Sequence, residues 1–302
     1  MNTSLYPTSV TITEVGMRDG FQFESKPIPT SLKLEVLQGL VAAGLKRIQV
    51  TSFVHPKWVP QMADAESLVE QLPKHEGVIY TGLALNTRGV ERAAKTGLEY
   101  VDLSISTNDQ HSKDNANMSR DEAIDQALDM VRLAGSHGMQ AQMGFQCVFG
   151  YAAPGDTPLS LVLEMTDRFV DAGIESLSLA DSTGMANPML IKQTVQAVAE
   201  RAGNIPIVLH LHDTRGLGLA NVAAALACGV SHFDTSIGGL GGCPFIPGAT
   251  GNIATEDTVY LLESLDIATG IDRQQVAAVT DKVAGFLERD LPGKLYKLKG
   301  KS

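Results

Sequence analysis

The chain has only three cysteines in 302 residues, Cys147, Cys228 and Cys243. They are too few and too scattered for a disulfide framework or a zinc knuckle, and a reducing, cytosolic (cytoplasmic) setting is the expectation. Positive charge is also scarce: 24 Lys and Arg face 34 Asp and Glu, a net charge of −10. That excludes the basic stripe of a general nucleic-acid binder, though not a phosphorylated ligand held by a few local Lys or Arg. No apolar run approaches the ~18 residues of a membrane span, so no membrane partner is expected. The opening MNTSLYPTSVTITEV lacks the basic and apolar regions of a signal peptide. Low-complexity tracts and Pro/Gly/Ser linkers are missing as well. With 44% hydrophobic residues, the expectation is one compact domain over residues 1–302.

Short β-branched runs recur, each followed by a helical pattern. Strands are expected at 11–16, 47–53, 78–85, 100–106, 140–148, 176–182, 207–213 and 232–239. Between them lie amphipathic stretches such as SLKLEVLQGLVAAG and DEAIDQALDMVRLAGSHG. Glycine closes AAG, KTG, SHG, DAG and ACG just before the following strand, as a helix C-cap would. Eight strand–helix alternations without the two-half layout of a dinucleotide fold predict an α/β (β/α)8 TIM barrel; a doubly wound sheet is the competitor. The barrel would run from about 10 to 266, and an additional C-terminal helical segment, DRQQVAAVTDKVAGFLERD, would occupy part of about 267–302.

Catalytic groups of such barrels lie at the C-terminal ends of strands, and polar residues collect at those positions here. The first strand leads to Arg18 and Asp19, the sixth to Asp181 and Ser182, the seventh to LHLHD, and the eighth into GGLGGCPFIPGATGN. In a strand, residues i and i+2 share a face. His210 and His212 would therefore stand side by side in the lumen, with Leu209 and Leu211 toward the helices. With Asp19 on the first strand, which the eighth alone separates from the seventh in a closed barrel, they form a candidate site for a divalent cation; Mg²⁺, Mn²⁺, Zn²⁺ and Fe²⁺ all suit such donors. Arg18 reads either as a partner of a barrel carboxylate such as Glu14 or as an electrophile for developing oxyanion charge. Asp181 reads as a helix cap or a site residue. Cys228 in AALACG fits a buried structural thiol, whereas Cys243, in a glycine-rich loop, reads as reactive or proton-donating. Thr255, Glu256 and Asp257 look like a helix start, with Glu256 near enough in sequence to serve the site.

Four segments carry a resemblance to a known family: EVGMRDGFQFE (14–24), TSFVHPKWVPQMADAE (51–66), HLHDTRGLGLAN (210–221) and GGLGGCPFIPGATGNIATEDTVYLL (238–262). They resemble the 3-hydroxy-3-methylglutaryl-CoA lyases, of the metal-dependent lyase and synthase superfamily of TIM barrels. The resemblance implies that Asp19, His210, His212 and Asn252 are ligands of a divalent cation, Mg²⁺ or Mn²⁺. It further implies that Arg18 faces the thioester carbonyl, that Cys243 takes part in proton transfer, and that Asp181 and Glu256 support the site. The implied reaction is a retro-Claisen cleavage of an acyl-CoA substrate, giving acetyl-CoA and acetoacetate from the parent compound; a homodimer is implied too. Through its N-x-N-x-S core, the segment NDQHSKDNANMS (108–119) resembles the family's nucleotide-side loop, making Asn115, Asn117 and Ser119 candidate CoA contacts, with Lys57 and Lys113 as candidate phosphate contacts.

The chain also departs from the family pattern. Met17, Phe21 and Phe23 stand within the first motif, Gln49 replaces a glutamate near Arg18, and Tyr151–Gly155 replaces C-P-Y-E-G. These changes fall on the substrate side of the mouth, so a related hydroxyacyl-CoA (a longer 3-alkyl-3-hydroxyglutaryl or a malyl/citramalyl-type thioester) is the alternative substrate. A condensing synthase is a further alternative, opposed by G-G-C-P and by the expectation of no regulatory domain after residue 302. A non-catalytic CoA-thioester binder, for which Gln49 is the support, is the third.

Overall fold

The computed structural model describes residues 6–242 and 248–298. Eight parallel strands close into a barrel in sequence order: β1 Thr11–Glu14, β2 Arg47–Ser52, β3 Ile79–Ala84, β4 Tyr100–Ser106, β5 Gln140–Gln146, β6 Ser176–Ala180, β7 Ile207–His210 and β8 His232–Thr235. Pairing of β1 with β8, Thr11 opposite His232 through Glu14 opposite Thr235, completes the closure. The connecting helices are α1 Thr30–Ala42, α2 Ala65–Glu70, α3 Thr87–Lys95, α4 Asp109–Ala116, α5 Arg120–Ser136, α6 Leu159–Asp171, α7 Pro188–Ala202 and α8 Gly218–Leu226. After β8 come α9 Thr255–Ser264 and α10 Arg273–Leu287. Among the described residues, no helix is long and apolar enough to cross a membrane. The (β/α)8 expectation is met.

The period-two pattern of the strands sorts their side chains. Ile48, Val50, Leu103, Met143, Phe145, Leu177, Leu179, Leu209 and Phe233 are buried in the hydrophobic core. Each such side chain contributes about 1.5–3 kcal/mol relative to exposure. The alternating positions Gln49, Asp102, Ser104, Gln142, Ser178, His210 and Asp234 line a cleft. A barrel interior is ordinarily filled by branched aliphatics; this one is polar down to Asp102 and Asp234.

Gly44, Gly97, Gly138, Gly173 and Gly229 all adopt positive φ, the backbone turn that ends a helix and returns the chain to the next strand. At the C-terminal mouth the strands are shorter than the sequence pattern suggests. β1 stops at Glu14 because a π-helical turn, Gly16–Gly20, takes over. β5 stops at Gln146, before Cys147 with φ 59°. β7 stops at His210 because His212 leaves the ladder to bridge Asn252. The segment 108–119 is also more regular than a loop. Asn108 caps α4 by accepting from His111 N–H, and Ser119 caps α5 in a reciprocal box with Glu122. The additional C-terminal helix is α10, whose N-cap Asp272 accepts from the N–H groups of Gln274 and Gln275.

Candidate active site

The mouth is assembled by backbone pairing. Residues 251–255 run between the ends of β7 and β8: Asp213 N–H donates to Gly251 O at 2.8 Å, Ile253 N–H to Leu211 O at 3.1 Å, and Ser236 N–H to Ile253 O at 3.0 Å. This clamp sets Asn252 beside His212. From the other side, the π-helical turn after β1 delivers Arg18 and Asp19, a backbone irregularity frequent at functional sites.

Ligand atoms of Asp19, His210 and His212 lie within 4.8 Å of one another. The two Nε2 atoms face each other at 3.3 Å. His210 Nδ1 lies 3.2 Å from Asp234 Oδ2, a carboxylate contact of the kind that orients metal-binding imidazoles, and it leaves Nε2 facing His212. Asn252 donates from Nδ2 to Asp19 Oδ2 at 2.6 Å and to Leu240 O at 2.9 Å. Among the described residues its Oδ1 is buried without a hydrogen-bond partner. An orphaned buried amide oxygen beside two imidazoles and a carboxylate fits a divalent cation. Burial alone would raise the Asp19 carboxyl, but Arg18, His210, His212 and the Asn252 hydrogen bond outweigh it and hold it below its ordinary value. Burial, reinforced by His210, pushes the His212 imidazole down to about 4, so it stays neutral, the form in which an imidazole can ligate a metal. Burial opposes protonation of His210 too, but Asp234 and Asp19 raise it.

Arg18 donates to Asp19 Oδ1 at 2.5 Å and from Nε to Gln49 Oε1. Glu14 is not its partner. That carboxylate accepts from Gly16 N–H at 2.7 Å, Ile237 N–H at 2.9 Å and the Thr255 hydroxyl at 2.5 Å, tying β1 to the turn after β8 and to α9. Of the two readings of Arg18, the one that places it at the site is the one the structure supports.

A cleft of about 510 Å³ opens beside this cluster, lined by Arg18, Asp19, Gln49, His210 and His212, with Asn115, His111 and Trp58 farther along its wall. Among the sequence-expected CoA contacts, Asn115 reaches the cleft. Asn117 ends α4 with φ 55°, Ser119 is occupied as the α5 cap, and Lys113 pairs with Asp109 at 2.6 Å. Lys57 is exposed outside the cleft lining. Asp181 lies next to cleft-lining Ser182, and its Oδ1 accepts from Met185 and Ala186 N–H at 2.8 and 3.0 Å. Among the described residues its Oδ2 has no hydrogen-bond partner, and burial raises its carboxyl to about 6. Asn187, not Asp181, caps α7. Glu256 is buried away from the cleft, accepts from Gly238 N–H at 3.1 Å, and is raised by burial to about 8. Cys243 lies outside the described residues.

Sequence reading missed Asp102, Asp234, Gln142 and His111. The first three sit at alternating positions of YVDLSIS, HFDTS and QAQMGFQ, and polar residues at period two inside a strand were the available signal. His111 lies on the first turn of α4, where the Tyr151 ring meets it edge-on at 5.3 Å. The 151–155 segment folds back because Asp156 accepts from the N–H groups of Tyr151, Ala152 and Ala153.

The sequence profile of the HMGL-like family matches residues 9–283. The chain belongs to that family. Among HMGL-like relatives it is 37% identical over 289 residues to the hydroxymethylglutaryl-CoA lyase YngG of Bacillus subtilis, covering 96% of this chain and 97% of that protein. The crystal structure of a B. subtilis HMG-CoA lyase superposes with a TM-score of 0.93 at 36% identity, covering 97% of this chain and 98% of that one. An Acinetobacter baumannii HMG-CoA lyase in complex with coenzyme A and 3-methylmalate also gives 0.93, at 33% identity, covering 100% of this chain and 98% of that one.

Proposed function

We propose that this chain is a divalent-metal-dependent carbon–carbon lyase that cleaves 3-hydroxy-3-methylglutaryl-CoA to acetyl-CoA and acetoacetate. The observation that carries the reading is the Asp19–His210–His212 cluster with the orphaned Asn252 Oδ1, set beside Arg18 in one cleft. The HMG-CoA lyases it resembles, one of them bound to coenzyme A, support the substrate class. Asp19, His210, His212 and Asn252 would hold Mg²⁺ or Mn²⁺, which supplies Lewis acidity toward the tertiary hydroxyl and a carbonyl of the substrate.

Around that group the side chains divide the work. Asp181, raised to about 6 with Oδ2 unpaired, is the acceptor we assign for the hydroxyl proton. The C2–C3 bond then breaks with its electron pair moving to C2, C3 becomes the ketone of acetoacetate, and the thioester becomes an enolate. The Arg18 guanidinium, aimed by Gln49 and Asp19, stabilises the enolate oxygen. The Cys243 thiol returns a proton to C2 to complete acetyl-CoA. Glu256 acts at a distance, holding the Gly238 backbone. Asn115 marks the side of the cleft assigned to CoA, with Lys57, Lys113, Asn117 and Ser119 outside its lining.

The test is a Mn²⁺-supplemented cleavage assay that quantifies acetyl-CoA and acetoacetate. Stoichiometric, chelator-sensitive production of both is expected. No turnover by protein that binds Mn²⁺ normally would overturn the substrate assignment and point to a related hydroxyacyl-CoA.

A further inference from the structure

Gln49 on β2 and Asp102 on β4 meet across the lumen, with Thr81 of β3 beside them. Gln49 Oε1 accepts from Arg18 Nε while its Nε2 donates to Asp102 Oδ2. The Thr81 hydroxyl donates to the same Asp102 oxygen at 2.5 Å. Arg47 Nη2 stands 3.9 Å from Asp102 Oδ1, which among the described residues has no hydrogen-bond partner. Gln49, Thr81 and Asp102 are all buried, so solvent does not compete for these bonds.

An ionised carboxylate only accepts hydrogen bonds, whereas an amide both donates and accepts. Burial raises the Asp102 carboxyl against the pull of Arg47, but its Oδ2 accepts from the Thr81 hydroxyl as well as from Gln49 and so permits one of the two amide orientations: Nε2 toward β4, Oε1 toward Arg18. Half a turn would set the amide NH₂ against the guanidinium, donor against donor, and carbonyl against carboxylate. Resting on the lyase reading above, we propose that Asp102 is a positioning residue: it locks the Gln49 amide, and the locked amide aims Arg18 at the developing enolate. Asp102 acts through Gln49, so its effect falls on the chemical step more than on substrate binding.

This geometry makes the two positions exchangeable only together. Gln49→Glu alone sets two buried carboxylates against each other, and one is forced to take a proton. Asp102→Asn alone frees the Gln49 amide to rotate. The double variant reverses the polarity of the same bridge: the amide on β4 donates to the carboxylate on β2, whose other oxygen accepts from Arg18.

The experiment compares wild type, Gln49→Glu, Asp102→Asn and the double variant by kcat and KM on 3-hydroxy-3-methylglutaryl-CoA, with Mn²⁺ affinity and melting temperature for each. Each single substitution should lower kcat about ten- to a hundredfold, with KM and Mn²⁺ affinity little changed. The double variant should recover at least about tenfold over the slower single. Effects on kcat that simply multiply in the double variant, or losses that follow melting temperature alone, would overturn the positioning role. An inactive wild type would instead sink the lyase reading on which that role rests.

Discussion

At the scale of single residues, the cleft owes its chemistry to side chains whose partners leave one atom over. His210 is held through Nδ1 and turns Nε2 toward His212 and Asp19, while Asn252 is held through Nδ2, which donates to Asp19, and keeps Oδ1 over. His212→Ala removes one of the two imidazoles and leaves Asp19 beside a cavity. Calorimetric Mn²⁺ affinity should fall by more than the ~10–100-fold typical of a lost supporting contact, and cleavage should disappear with it. Full activity in this variant would remove His212 from the ligand set.

At the scale of elements, the loop after β8 and the 251–255 segment are a unit. Gly251 has φ +92°, and a Cβ there would stand 2.5 Å from Gly241 C and 2.8 Å from Gly242 N, both backbone. The conflict cannot be relieved by a rotamer change. Gly251→Ala should therefore lower the melting temperature and, by displacing neighbouring Asn252, weaken Mn²⁺ binding about tenfold or more. Gly248 has φ +78° but, among the described residues, nothing within 4 Å of the added carbon. Gly248→Ala should then cost only about 1 kcal/mol of backbone strain and leave Mn²⁺ affinity unchanged. Equal metal affinities in the two variants would show that the clamp does not position Asn252.

For the molecule as a whole, a chain of net charge −10 has buried several of its carboxylates. Burial raises Glu14 to about 7 and Glu256 to about 8, from 4.5 in each case. A raised folded-state value means that the folded protein binds protons more tightly than the unfolded chain. The stability each group contributes is complete below its unfolded value and is lost as pH climbs through the folded one. Glu256→Gln keeps an acceptor for Gly238 N–H and removes that titration. Melting temperatures taken from about pH 4.5 to 9 at saturating Mn²⁺ should show wild type losing ground to the variant as pH rises. Parallel curves would mean that Glu256 does not titrate in this range.

The alternation of strands and helices, the glycine turns between them, and the placement of Arg18, Asp19, His210 and His212 near strand ends were all legible in the linear sequence. Those features are written in short-range periodicity and capping, which a linear reading can follow. Set against the family pattern it resembles, the chain also has an amide, Gln49, where a carboxylate is usual. Folding was needed to reveal that Asp102, two strands away, stands against that amide, that Asp234 holds His210, and that Glu14 belongs to Ile237 and Thr255 rather than to Arg18. Such contacts depend on barrel closure and strand register, which bring together side chains as far apart in sequence as Thr255 and Glu14.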